Sequence, residues 1–147
     1  MGPVSFTYSG VVQVPIDRVF DLISDPLRMP EWLPRCIAVK PSAPERQGKG
    51  ARYTVTFQRD AIRHESVIEI IEYSPPHGFG WVEIYHRVGS KTFFGLGFAG
   101  GSTKVTMKHI WRPTGLRSWL NGQFYRRRNA HRMFEGLINN LRKALIR

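Results

Sequence analysis

This chain of 147 residues has a single cysteine, half as many acids as bases and no long apolar run. A lone Cys36 excludes an internal disulfide and fits a reducing compartment. No stretch approaches the roughly 18 consecutive apolar residues of a membrane-spanning helix, and the N-terminus lacks the charged-then-apolar pattern of a leader, so the expected location is the cytoplasm. Phe6 stands where a myristoylation signal needs Ser or Thr. The histidines at 64, 77, 86, 109 and 131 never fall at i, i+2 or i, i+4, which argues against a metal site. There is no Gly-x-Ser-x-Gly elbow for a nucleophile and no DNA-binding motif. Eleven Asp and Glu face 22 Lys and Arg, a net charge of +11 that predicts attraction to polyanions without choosing among them.

What is present begins with the C-terminal stretch. From Leu116 to Arg147, Trp119, Leu120, Phe124, Met133, Phe134, Leu137, Ile138, Leu141 and Leu145 recur in threes and fours. That rhythm predicts one long amphipathic helix, bent near Asn121-Gly122, with Arg126, Arg127, Arg128 and Arg132 among the cations of its other face. So long an apolar stripe needs an equally long apolar partner. The remaining chain supplies it as strands. Residues 4–14 alternate as a first strand, Pro15 stops it, and two short helices follow, the first placing Ile16, Val19, Phe20 and Ile23 on one side and the second carrying Leu27, Met29, Trp32 and Leu33. Six further strands are expected at about 36–40, 50–59, 62–73, 79–88, 91–99 and 103–112, joined after residue 50 by connections too short for parallel pairing. The chain is large enough to bury about two thirds of its unfolded surface, which predicts a single domain.

Alternation assigns faces. Tyr53, Val55 and Phe57 share one side, as do Phe94, Leu96 and Phe98, and as do Val105, Met107, His109 and Trp111. Strand 79–88 is apolar on both sides, with Phe79, Trp81 and Tyr85 against Val82, Ile84 and Val88. Gly95-Leu96-Gly97-Phe98-Ala99-Gly100 matches the G-x-G-x-x-G string, but a strand follows it and no acid appears before Glu135, so no nucleotide cofactor is expected. The glycines are instead expected to let a bent strand pass close to the long helix.

The order strand, two short helices, six-stranded meander and long helix resembles the helix-grip fold of the START-like, or Bet v 1-like, superfamily, an α+β architecture. Val14-Pro15-Ile16-Asp17-Arg18-Val19-Phe20-Asp21-Leu22-Ile23-Ser24-Asp25, then Pro30-Glu31-Trp32, is similar to the opening of its polyketide cyclase/dehydrase and lipid-transport group. Glu72-Tyr73-Ser74-Pro75-Pro76 followed by Trp81 is similar to that group's mid-chain turn. The resemblance spans the chain and implies a seven-stranded sheet wrapped around the helix, with an apolar cavity for a small hydrophobic ligand between them. It implies no particular reaction.

The expected cavity lining is Tyr53, Val55, Phe57, Trp81, Tyr85, Phe94, Phe98, Met107, His109, Trp111, Phe124 and Phe134. His109, between Met107 and Trp111, is the polar member that needs a partner or a ligand, and histidine exchanges protons near neutrality. Tyr53, Tyr85, Glu83 and Arg59 are weaker polar candidates. Three readings follow. The first is binding or transport of a lipid or polyketide, with Arg126, Arg127, Arg128 and Arg132 meeting an anionic headgroup or membrane surface. The second is an aromatase/cyclase or dehydratase in which His109 or a tyrosine moves the proton. In the third, the basic helix docks on RNA, a ribosome or quinone-biosynthesis machinery.

Overall fold

The computed structural model describes residues 3–42, 47–85, 88–112 and 127–146. Its strands are β1 (Val4–Val12), β2 (Cys36–Pro41), β3 (Arg52–Arg59), β4 (Ile62–Ser74), β5 (Gly78–Tyr85), β6 (Lys91–Ala99) and β7 (Ser102–Trp111). They form one antiparallel sheet in the order β1-β7-β6-β5-β4-β3-β2. Every pair from β2 to β7 is sequential, as short connections require. Only the step from β1, at one edge, to β2, at the other, needs a long connection. Helices α1 (Ile16–Ile23) and α2 (Met29–Trp32) make it.

Local chemistry sets those helices. Pro15 precedes the first turn, Asp17 sits in it, and the Ser24 amide closes the end on the Phe20 carbonyl at 2.8 Å. Ile16, Val19, Phe20, Leu22 and Ile23 are all buried. Asp25 then accepts from the Leu27 amide at 3.2 Å and caps a single 3-10 turn, Pro26–Arg28, that leads into α2. Register shifts in β4 between Val67 and Ile68 and between Ile70 and Glu72, and in β2 between Cys36 and Ala38, are bulges of the kind that curl a sheet.

Helix α3 (Arg127–Leu145) lies in the concave face of that curl. Its buried residues, Phe134, Leu137, Ile138, Leu141 and Leu145, follow the expected stripe. The expected start at Leu116 and the bend at Asn121-Gly122 lie outside the described residues. The helix is tied down at its C-terminal half by Arg142 donating to the Val11 carbonyl (2.8 Å), Asn140 to the Trp32 carbonyl (3.2 Å) and Arg18 to the Leu145 carbonyl (2.7 Å).

Close approach of helix and sheet occurs at Gly10 of β1, where a Cβ would come within 3.3 Å of Ile138. The sequence pattern predicts that role for Gly95, Gly97 and Gly100, of which Gly100 lies past the end of β6 in a turn with a φ of 67° and Gly95 and Gly97 lie on the strand. Both instead alternate with the buried Phe94 and Leu96 and so face away from the helix, with open space where a Cβ would stand. The architecture is the helix grip, a seven-stranded antiparallel sheet around a C-terminal helix.

Candidate functional site

The concave face is built row by row from the strand register. One row runs Phe6–His109–Thr92–Trp81 across β1, β7, β6 and β5. Strand alternation points all four side chains inward. In that row Thr92 Oγ1 and His109 Nδ1 lie 3.0 Å apart in a hydrogen bond. The next inward residue of β5 is Glu83, and Ser66 Oγ of β4 lies 3.0 Å from Glu83 Oε2 and 2.9 Å from the Tyr85 carbonyl, two acceptors for its one proton. Between the two pairs lies Ser90, two residues before Thr92, whose carbonyl accepts from the Glu83 amide at 2.8 Å. Ser90 is only 2% exposed, and its hydroxyl has no hydrogen-bond partner among the described residues. Four polar side chains from four adjacent strands, and a fifth from the residue just before β6, therefore share one part of a mostly apolar surface.

Around them the aromatic walls touch one another. Trp81 packs on Phe94 at 5.8 Å and on Phe79 at 6.0 Å, and Trp32 of α2 meets Phe94 edge-on at 5.5 Å. Tyr8 lies between His131 (5.2 Å) and Phe134 (5.8 Å) of α3. The Trp32 indole nitrogen, like the Ser90 hydroxyl, is buried without a partner among the described residues. Tyr53 is buried, and desolvation, reinforced by the negative charge of Asp25, holds its phenol above the usual pKa. It is a hydrogen-bond donor at neutral pH. Burial pushes the Cys36 thiol up to about 11, so it is no nucleophile there.

Of the residues expected to line the cavity, Tyr53, Val55, Trp81, Phe94, Met107 and Phe134 are buried, while Phe57, His109 and Trp111 are half-buried on the same concave face. Two expectations fail. Phe98 is 71% exposed, because it stands at the far end of β6, opposite Thr103, where its ring meets His77 at 5.7 Å rather than the core. Tyr85, at the last residue of β5, is 62% exposed, and only its carbonyl takes part in the polar group. Arg59 is exposed at the end of β3. Phe124 and Arg126 lie outside the described residues, as does the side chain of Arg127, while Arg128 and Arg132 are exposed on α3.

Ser66, Ser90 and Thr92 were not anticipated. The available signal was a polar residue at an inward position of a strand whose other inward residues, Ile68 and Ile70 or Phe94 and Leu96, are apolar.

No helix among the described residues is long and apolar enough to cross a membrane. A search of curated proteins finds no match. Solved structures are similar in fold. The Zhui aromatase/cyclase from Streptomyces sp. R1128 superimposes with a TM-score of 0.78 at 11% identity, over 99% of this chain and 95% of that one. The di-domain ARO/CYC StfQ from the steffimycin biosynthetic pathway gives 0.78 at 14% identity, with 97% of this chain covering 50% of that one. Protein Ms6760 from Mycobacterium smegmatis gives 0.72 at 17% identity, over 97% and 91%. The family model described as polyketide cyclase/dehydrase and lipid transport matches residues 3–145. The chain therefore belongs to the polyketide cyclase/dehydrase and lipid-transport family, within the START-like, or Bet v 1-like, superfamily.

Proposed function

We propose that this protein binds a small, mostly apolar molecule bearing at least one oxygen, held between the concave face and α3. The observation that carries this reading is the polar group on that face: the Thr92–His109 and Ser66–Glu83 pairs with Ser90 between them. A hydroxyl buried without a partner costs about 1–3 kcal/mol, so a ligand oxygen that reaches Ser90 recovers part of that cost. The aromatic walls supply apolar contact, and the polar group supplies orientation.

A second reading is supported by His109 itself. A histidine hydrogen-bonded to Thr92, on the same face as the Glu83 carboxylate, is suited to moving a proton during cyclisation or dehydration of a polyketone. Aromatase/cyclases of the same fold make that chemistry a fair comparison. The exposure of Arg128 and Arg132 on α3 supports contact with an anionic headgroup.

The test is native mass spectrometry of protein purified from its source, with solvent extraction of whatever is bound. The expected result is a stoichiometric apolar compound containing oxygen, lost from a His109→Ala variant. Retention of the same compound by that variant at full occupancy sinks the assignment of the polar end. Turnover of a bound polyketone that disappears in His109→Ala while binding persists selects the enzyme.

A further inference from the structure

Charge is divided unevenly along this chain. Between Glu83 and Glu135 there are ten lysines and arginines and no acid. Four of these cations, Lys91, Lys104, Lys108 and Arg112, are exposed on or directly after the adjacent strands β6 and β7. Lys104 and Lys108 alternate with the buried Val105 and Met107, so they project from the face opposite α3. At about 3.4 Å per residue they stand about 14 Å apart, and Arg112 extends the line past Trp111. Lys91 pairs with Ile110 across the strands and is thus a diagonal neighbour of Lys108, about 7–8 Å away.

Phe93 lies directly opposite Lys108 on this outward face. It is half-buried because its ring leans into the space left by Gly80, where a Cβ would come within 2.5 Å of Phe93 Cδ1. Beside it the floor is low: Gly95 and Gly97 have nothing over them, and Thr106 is hydrogen-bonded to Ser9 of β1 at 2.9 Å. Acids bound the patch on the far side. Glu72 of β4 lies over Gly78, and Glu69 is paired with Arg52 at 2.9 Å. On β6, β7 and the residue after β7, where these four cations lie, there is no acid.

A row of cations is by default a solvated surface. Here it runs straight along one strand, carries an aromatic ring at its middle and has no acid within it. Those are the components of a single-strand platform, in which cations follow a phosphate backbone and a ring receives a base. A bilayer fits less well, because Phe93 and Ile110 are half-buried and give no protruding anchor, and because this surface is the back of the sheet, away from α3. We propose that the outward face of β6 and β7 binds single-stranded nucleic acid, with phosphates along Lys104, Lys108 and Arg112 and a base on Phe93. The proposal is independent of the ligand reading.

The experiment is fluorescence anisotropy of labelled oligo-dT and oligo-U of about 12 nucleotides, titrated with the whole protein from about 50 to about 300 mM salt. With three or four phosphates neutralised, the logarithm of the association constant should fall with that of salt at a slope of about −2 to −3. The double variant Lys104→Gln/Lys108→Gln, at two exposed positions, should weaken binding about tenfold and flatten the slope by about 1.4. Phe93→Leu should weaken binding and leave the slope unchanged. Arg128→Gln/Arg132→Gln, on α3, should change neither. Three results overturn the proposal: no oligonucleotide binding at the lowest salt, binding indifferent to the lysine pair, or lysine-dependent binding of phosphatidylserine vesicles without binding of oligonucleotide.

Discussion

Strands β6 and β7 each contribute to two unlike parts of the concave face. Toward α1, α2 and the C-terminal half of α3, their inward residues are Leu96 and Val105, packed in one core with Val12, Leu22, Met29, Trp32 and Leu141. Four residues along each strand in the other direction, the equivalent positions hold Thr92 and His109, joined by Ser66 of β4, Glu83 of β5 and Ser90 just before β6. A sheet that can bury leucine and valine at one end has no need of polar side chains at the other to close its core. The apolar part supplies stability, and the polar part, on the function proposed above, orients a guest at some cost in it.

The largest expected effect belongs to the apolar part. Leu141 is fully buried at the centre of the α3 stripe, and Leu141→Ala should cost about 2–5 kcal/mol in urea unfolding through lost burial plus the cavity left behind. Marginal domains have about 5–15 kcal/mol in total, so this one change is serious for the fold. A cost under about 1 kcal/mol would mean that the stripe is not the main support of the sheet and would erase the contrast.

The corresponding change in the polar part should behave differently. Thr92→Val/His109→Phe removes both members of one hydrogen bond together with little change of shape, rather than stranding Thr92 or His109 alone. Unfolding free energy should move by no more than about 1.5 kcal/mol, while occupancy by the co-purified ligand falls about tenfold or more. If the double variant is as unstable as Leu141→Ala, the pair is structural and the contrast collapses. Unchanged stability together with unchanged occupancy would remove His109 from the ligand site.

The apolar part was readable from spacing alone. Phe134, Leu137, Ile138 and Leu141 mark a helix face, and Tyr53 with Val55 or Val105 with Met107 mark strand faces, because period and burial agree there. Strand β5 was not readable in that way, since Val82 and Ile84 are half-buried on the outward face while Phe79 and Trp81 are buried inside. Alternation also carries no information on where a sheet stops covering its core, which is why Phe98 and Tyr85 had the right parity and the wrong exposure. The polar group needed register. Thr92 and His109 are 17 residues apart, and their pairing follows from the β6–β7 alignment, Phe94 opposite Met107, rather than from either strand's own pattern. Gly10 escaped notice for the same reason: nothing near it in sequence shows that Ile138 will lie over it.

The smallest expected effect is the sharpest on the meaning of the polar part. Ser90 is buried, and its hydroxyl has no partner among the described residues, in contrast to Thr92 and Ser66 beside it. In ligand-free protein, Ser90→Ala removes an unsatisfied group and should be neutral or stabilising by up to about 1 kcal/mol. In the liganded protein the same change removes a contact, so the thermal shift that ligand produces should shrink. The two signs oppose each other, and that opposition distinguishes a hydroxyl held for a guest from one that serves the fold. A Ser90→Ala variant that loses stability without ligand would show that the hydroxyl already has a use in the empty protein, and the boundary between the two parts of the face would then fall at Thr92 instead.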